Sequence, residues 1–406
     1  MTWFKKAKVL AAATLCLVML PAGTAFGAGE NRPFPQHTTY TSGTIKPSNV
    51  TQSAMDNAVK SKWNTWKNNY LKPAGTGKYY VRYNDQGQTV SEAHGYGMLL
   101  TVMMAGADSN AKTYFDGLYR YYKAHPSTNN PYLMAWKQNS SFQNIEGENS
   151  ATDGDMDIAY AMLLADKQWG SSGSINYLSE AKSMINAIMQ SDVNPSRWTL
   201  RLGDWATSGE YDTATRPSDF MLSHMKAFRS ATGDARWDKV INQTYSIIQT
   251  IFSSNSSNTG LMPDFVLYSG GKYVPAYPEF LENELDGGYY YNSCRTPWRI
   301  TTDYLISGDN RALSQLNKMN SWIKSKTSNN PSSIKDGYTL TGTTKGSYNS
   351  GAFYAPFGVS AMTSSSNQTW LNDIWTKTAG SPKEDYYEDS IKLFSMIVMS
   401  GNWWTY

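Results

Sequence analysis

Apolar residues recur at three- and four-residue spacing through most of the chain, the period of a helix that buries one face. The pattern predicts helices over 52–70, 91–105, 111–124, 155–168, 175–190 and 216–231. It continues with helices over 234–253, 288–307, 310–326, 350–363, 367–378 and 385–400, about twelve in all. Several joins share one chemistry: Gly106-Ala107-Asp108, Gly233-Asp234 and Gly308-Asp309 each precede a helix. Glycine takes the left-handed conformation that ends one helix, and aspartate accepts from the free amides that open the next. Such short joins make antiparallel neighbours. Six hairpins closed into a ring form an all-α, double-layered (α/α)6 barrel. An open solenoid is the alternative, although no strict repeat runs through the chain.

The longer connections, around 71–90, 125–154, 191–215, 254–287 and 327–349, are rich in Gly, Asn, Pro, Trp and Tyr. Loops of this length inside a compact domain are usually functional, so a cleft is expected where they gather at one end of the barrel. Short strands are expected there, over Lys78–Tyr83 or Gly337–Thr341.

The amino terminus changes the expected compartment. Lys5, Lys6 and Lys8 precede an apolar run from Val9 to Leu20, and Ala25-Phe26-Gly27 supplies small residues for a signal peptidase. Residues 1–28 are therefore expected to be a signal peptide, cut after Gly27 or Ala28, and 29–406 a single catalytic domain that is secreted. The apolar run is shorter than the roughly 20 residues that span a bilayer, so no membrane association is expected after cleavage. Of the two cysteines, Cys16 lies in the leader, which leaves Cys294 without an intramolecular partner. Its neighbours offer no base, and it reads as a buried structural thiol. The leader holds three lysines and no acid, so the net charge of +3 falls to balance without it. A balanced chain lacks the basic face that nucleic acid requires. A monomer is expected.

The candidate chemistry is carboxylate chemistry. His37, His94, His125 and His224 show no metal-ligand spacing, and no phosphate loop or nucleophile elbow is present, so no metal or cofactor is expected. The chain carries 14 Trp and 28 Tyr, flat surfaces suited to the apolar faces of sugar rings as well as to a core. Glu92 follows Ser91, read as an N-cap. Gly95 and Gly97 inside the same helix each cost about 1 kcal/mol relative to alanine, so something packs closely there. In Ala151-Thr152-Asp153-Gly154-Asp155-Met156-Asp157, Asp153 reads as an N-cap and Asp155 as a first-turn acid. A calcium loop is excluded because its glycine and distal glutamate are missing.

The run from Ala151 to Asp155, continued through Ile158-Ala159, Leu163, Ala165 and Trp169, resembles the signature of glycoside hydrolase family 8. Ser91-Glu92 with Gly95-Tyr96-Gly97-Met98 resembles that family's general-acid segment. Leu133-Met134-Ala135-Trp136 and Leu202-Gly203-Asp204-Trp205 resemble further blocks. The resemblance implies a six-hairpin barrel and inverting endo-hydrolysis of cellulose, mixed-linkage β-glucan, xylan or chitosan. It puts Glu92 on the general acid and Asp153 on an aspartate that grips the sugar at the cleavage point. Many members carry the base as an aspartate three residues before an arginine. Here that segment reads Tyr291-Asn292-Ser293-Cys294-Arg295, with an amide in its place. A second branch takes a glutamate from an inserted loop, and Tyr277-Pro278-Glu279-Phe280-Leu281-Glu282-Asn283-Glu284 is such a loop. Similarity to that branch implies Glu279 as base, with Glu282 and Glu284 in reserve, and Arg295 as support of the base or its water. Trp136, Trp205 and Asp155 are the expected substrate-binding residues.

The expected partner is a polysaccharide, with chitosan or β-1,4-glucan first and β-1,3-1,4-glucan as the alternative on the same scaffold. Acids in the loops, among them Glu146, Glu148, Glu210, Asp212 and Asp219, would serve an amino-sugar polymer. From other classes, a non-catalytic carbohydrate-binding protein and a polysaccharide lyase stay open.

Overall fold

The computed structural model describes residues 29–406, and the expected leader, 1–28, lies outside the described residues. Among the described residues twelve helices follow in order: α1 (Gln52–Tyr70), α2 (Ser91–Met103), α3 (Ala111–Ala124), α4 (Thr152–Trp169), α5 (Tyr177–Ser191) and α6 (Leu222–Thr232). The second half holds α7 (Arg236–Asn255), α8 (Thr296–Ser307), α9 (Leu313–Lys326), α10 (Gly351–Ala361), α11 (Gln368–Gly380) and α12 (Tyr386–Met399). Odd-numbered helices bury one face. In α1 that face is Met55, Val59, Trp63, Trp66 and Tyr70, one side of the cylinder at helical spacing. Even-numbered helices are buried nearly all round, and in α10 every residue is. This is the double layer of an (α/α)6 barrel, with the even helices inside. Tyr96 of α2 meets Phe394 of α12 edge-on at 5.1 Å, and α1 packs on α12, so the ring closes rather than running on as a solenoid.

The helix joins behave as expected in part. Gly233 and Gly308 take left-handed backbone, at φ 74° and 72°. Asp108, Asp234 and Asp309 accept the amides of Asn110, Arg236 and Arg311, tightening the turn rather than occupying the N-cap itself. Two helices start later than the periodicity predicts. Pro217 opens a 3-10 turn, Pro217–Asp219, before α6, and Pro297 sits in the first turn of α8, where its missing N–H costs nothing. In contrast, α4 starts earlier than expected. Asp153 lies inside its first turn and Ala151 is the N-cap, while Val90 rather than Ser91 caps α2.

Strands are short and sit among the loops. Leu71–Pro73 pairs antiparallel with Tyr79–Val81, Thr89–Val90 with Lys137–Gln138, and Val266–Ser269 with Lys272–Pro275. Gly337–Thr341 forms no strand, and Tyr338 makes isolated bridges to Tyr289 and Thr344. A small second core, Leu202, Ala206, Ala214, Phe265, Leu267, Ala276 and Phe280, joins the 202–214 and 265–280 segments above the barrel.

The helical glycines mark the crossing of α2 and α4. A Cβ on Gly95 would lie 2.7 Å from the Cβ of Asp157, and one on Gly154 would lie 2.6 Å from the Ser91 carbonyl carbon. Their absence lets two inner helices touch backbone to side chain, which brings their first turns together.

Candidate active site

Those two first turns carry Glu92 and Asp153, and both side chains converge on Arg295. Its Nη1 donates to Glu92 Oε2 at 2.9 Å and to Asp153 Oδ2 at 3.0 Å. Its Nη2 donates to Ser218 Oγ at 3.0 Å and Asn292 Oδ1 at 2.9 Å. The guanidinium is 1 % exposed, whereas Glu92 keeps 18 % of its side-chain surface, enough to meet a substrate. Glu92 also accepts from the Tyr386 hydroxyl at 3.2 Å.

The two carboxyls, sharing one cation, are pushed apart. Burial raises Glu92 to about 7, and the Asp153 charge adds to that against the opposing pull of Arg295. Burial also disfavours the charge of Asp153, but Arg295 and then Arg216 outweigh it and hold that group below the usual carboxylate range. An ion pair between Glu92 and Arg295 would argue for a charged glutamate. The cation is shared with Asp153, however, and burial decides in favour of a Glu92 that holds its proton near neutrality.

Glu92, Asp153 and Arg295 open into a cleft of about 590 Å³. Its other walls include Trp136, Trp205, Arg216, Glu282, Asn292 and Tyr387. Trp136 is anchored by its indole N–H, which donates to the Glu146 carbonyl at 2.7 Å, and Trp205 leans on Tyr211 with ring centroids 5.4 Å apart. Both indoles remain partly exposed to the cleft, a geometry suited to stacking on sugar rings.

Two expected site residues stand elsewhere. Asp155 is fully buried beneath the cleft and accepts the Met134 amide at 3.0 Å. Only two residues along the helix from Asp153, it points to a different side, so it holds a loop rather than a sugar. Glu279 is exposed on the far side of its loop, at φ 60°, and is not part of the cleft wall. Glu284 faces a separate groove with Pro278 and Leu285. Glu282 is the member of the acidic loop that enters the cleft. Its Oε2 accepts from the Asn292 amide at 2.8 Å and its Oε1 from Arg216 Nη2 at 3.2 Å.

Arg216, Tyr386 and Tyr387 are site-forming residues that the sequence did not single out, because Arg216 precedes a 3-10 turn and the two tyrosines open α12, far along the chain from Glu92. Their only sequence signal is polarity or aromaticity inside otherwise apolar surroundings. Cys294 is buried against Tyr387, and burial pushes its thiol far above the ordinary range, as suits a structural residue.

The family model of glycosyl hydrolases family 8 matches residues 33–401. The chain belongs to glycoside hydrolase family 8. A β-glucanase of Niallia circulans is 72 % identical over 97 % of this chain and 96 % of its own. An endoglucanase of Bacillus sp. (strain KSM-330) is 44 % identical, over 93 % of this chain and 82 % of its own. The apo structure of a β-1,3-1,4-glucanase from Paenibacillus sp. X4 superposes with a TM-score of 0.93. It is 74 % identical and covers 93 % of this chain and all of that one. The family-8 chain described here is an endo-acting glycoside hydrolase, and the binding-protein and lyase readings fall away.

Proposed function

We propose that this family-8 enzyme inverts the anomeric centre of β-1,3-1,4-glucan, with Glu92 as general acid and Glu282 as general base. The observation that carries the mechanism is the pairing across one cleft of a carboxyl that keeps its proton to about 7 and a carboxylate fixed by an amide and a guanidinium. Glu92 gives its proton to the glycosidic oxygen as the bond to the anomeric carbon breaks. Water attacks that carbon from the opposite face and yields its proton to Glu282. Inverting pairs stand about 6.5–9.5 Å apart to leave room for this water. Asp153, held charged by Arg295, faces the positive charge that develops on the ring.

The substrate reading follows the 74 % identity to a β-1,3-1,4-glucanase and the charge of the cleft. An amino-sugar polymer would need unpaired acids along its path. Among the five loop acids expected to serve it, Glu146 lines the cleft but pairs with Lys137 at 2.6 Å. Asp212 pairs with Arg201 at 2.6 Å, and Glu210 accepts from Tyr277. Asp219 is buried, and Glu148 lies outside the cleft wall. Of the acids that line the cleft among the described residues, Glu92 and Asp153 pair with Arg295, Glu282 with Arg216 and Glu146 with Lys137, which leaves Asp385 alone without an ion pair. A neutral glucan therefore fits better than chitosan, in favour of the alternative over the first expectation. Initial rates on lichenan, carboxymethyl cellulose and chitosan test the reading. Lichenan should be hydrolysed fastest, and a faster rate on chitosan would overturn it. Export with loss of residues 1–28 belongs to the same proposal, and the amino-terminal sequence of protein recovered from culture medium tests it.

A further inference from the structure

The loop that brings Glu282 into the cleft is largely exposed at Leu281, Glu282 and Glu284. Its shape is nevertheless fixed by one group. Asp286 is fully buried, and its carboxylate accepts three consecutive backbone amides: Leu281 and Glu282 on Oδ2 at 2.7 and 2.9 Å, and Asn283 on Oδ1 at 3.0 Å. The amide of Glu282 itself is therefore tied to a buried carboxylate while its side chain points at Asn292 and Arg216.

Asp286 is in turn immobile. Its carbonyl accepts from Phe265 at 2.9 Å, and Phe265 packs on Phe280 with centroids 5.7 Å apart inside the small second core. The neighbouring Asp264 does the same for the other half of the pair. It accepts the amides of Tyr290, Asn292 and Ser293 at 3.0, 3.1 and 2.7 Å, fixing the residue that donates to Glu282. Charge-assisted bonds of this kind are about twice as strong as neutral ones, and three on one carboxylate leave the loop a single low-energy shape.

We propose that Asp286 is a positioning residue for the general base: it sets the place of Glu282 through the loop backbone without touching substrate. The proposal rests on the reading of Glu282 as base. Misplacing a reacting group by about 1 Å costs on the order of 100-fold in rate. An asparagine at 286 keeps the shape but leaves one acceptor oxygen and no charge, so at least one of the three amides meets an NH2 group in place of its partner.

The test compares Asp286→Asn, Glu282→Ala and the double variant on lichenan, with and without sodium azide. Azide attacks the anomeric carbon without needing deprotonation, while Glu92 still protonates the departing oxygen, giving a glucosyl azide of inverted configuration. Asp286→Asn should lower kcat by about 100-fold with KM within about threefold, azide should restore turnover, and the double variant should be no slower than Glu282→Ala. An Asp286→Asn enzyme with normal kcat, or one whose loss azide does not relieve, overturns the proposal. A Glu282→Ala enzyme that keeps its activity overturns instead the reading of Glu282 as base. Hydrogen exchange on the unmodified enzyme adds a readout independent of variant folding. The amides of residues 281–283 should be protected although the loop is exposed, and rapid exchange at all three would sink the proposal.

Discussion

Asn292 donates its side-chain amide to Glu282 at 2.8 Å while its carbonyl oxygen accepts from Arg295 at 2.9 Å. The orientation of this amide joins acid and base through one guanidinium, since Arg295 also donates to Glu92. An amide at this position offers a hydrogen to Glu282 where a carboxylate would offer only a second acid. Replacing Asn292 by Asp removes that hydrogen bond and sets two acids against each other, so kcat on lichenan should fall by about tenfold or more. A variant with unchanged kcat would show that Asn292 does not hold Glu282 in place.

The alkaline limb of the pH–activity profile belongs to Glu92. Its active form is protonated, and burial holds that form to about 7. Activity should fall as pH rises through this value. Glu92→Gln should lose at least about 1,000-fold in kcat on polysaccharide with little change in binding. Glu282→Gln should lose a comparable factor, whereas Glu279→Gln should stay within about twofold because its side chain stands outside the cleft. Measured kcat values for the three variants check the assignment, and a dead Glu279→Gln enzyme would reverse it.

Acid stability has a separate origin. His224 is buried, which lowers it to about 4 even though it faces Asp157 at 2.9 Å. Folded protein keeps this ring neutral while unfolded chain protonates it near 6.5. The contribution to stability is thus present above about pH 6.5 and lost as pH falls toward 4, at about 1.4 kcal/mol per unit. His94, also lowered to about 4 by burial, acts in the same window. Denaturant midpoints between pH 7 and 4 should fall less steeply in a His224→Gln variant, by close to one proton's worth of slope. An unchanged slope would count against a neutral buried His224.

Gly154 tests the helix crossing under the site. Its missing Cβ would meet the Ser91 backbone at 2.6 Å, a contact that no side-chain rotation relieves. Gly154→Ala should destabilise by about 1–3 kcal/mol through overpacking, despite alanine's better helix propensity. It should also lower kcat, because α2 and α4 carry Glu92 and Asp153. Thermal unfolding of the variant gives the first quantity and lichenan hydrolysis the second, and a stabilised variant would refute the account.

Periodicity alone made the barrel legible. Each helix is a local repeat, and short Gly-Asp joins leave antiparallel packing as the way to bury its apolar face. The close approach at the start of α2 was legible for a related reason: glycines at 95 and 97 in a helix signalled it, and Gly95 packs on Asp157. Which acid of the 277–284 loop faces the cleft was not legible. That loop has no period, and its direction depends on left-handed backbone at Glu279, a carboxylate at Asp286 and partners as distant as Arg216. The same holds for Asp155, whose side of α4 is decided by the helices and loops packed around it. Local sequence sets which segments are helical because their hydrogen bonds and apolar faces are internal to each segment. Which acid of the 277–284 loop reaches the cleft depends on contacts between segments, and only the assembled fold supplies them.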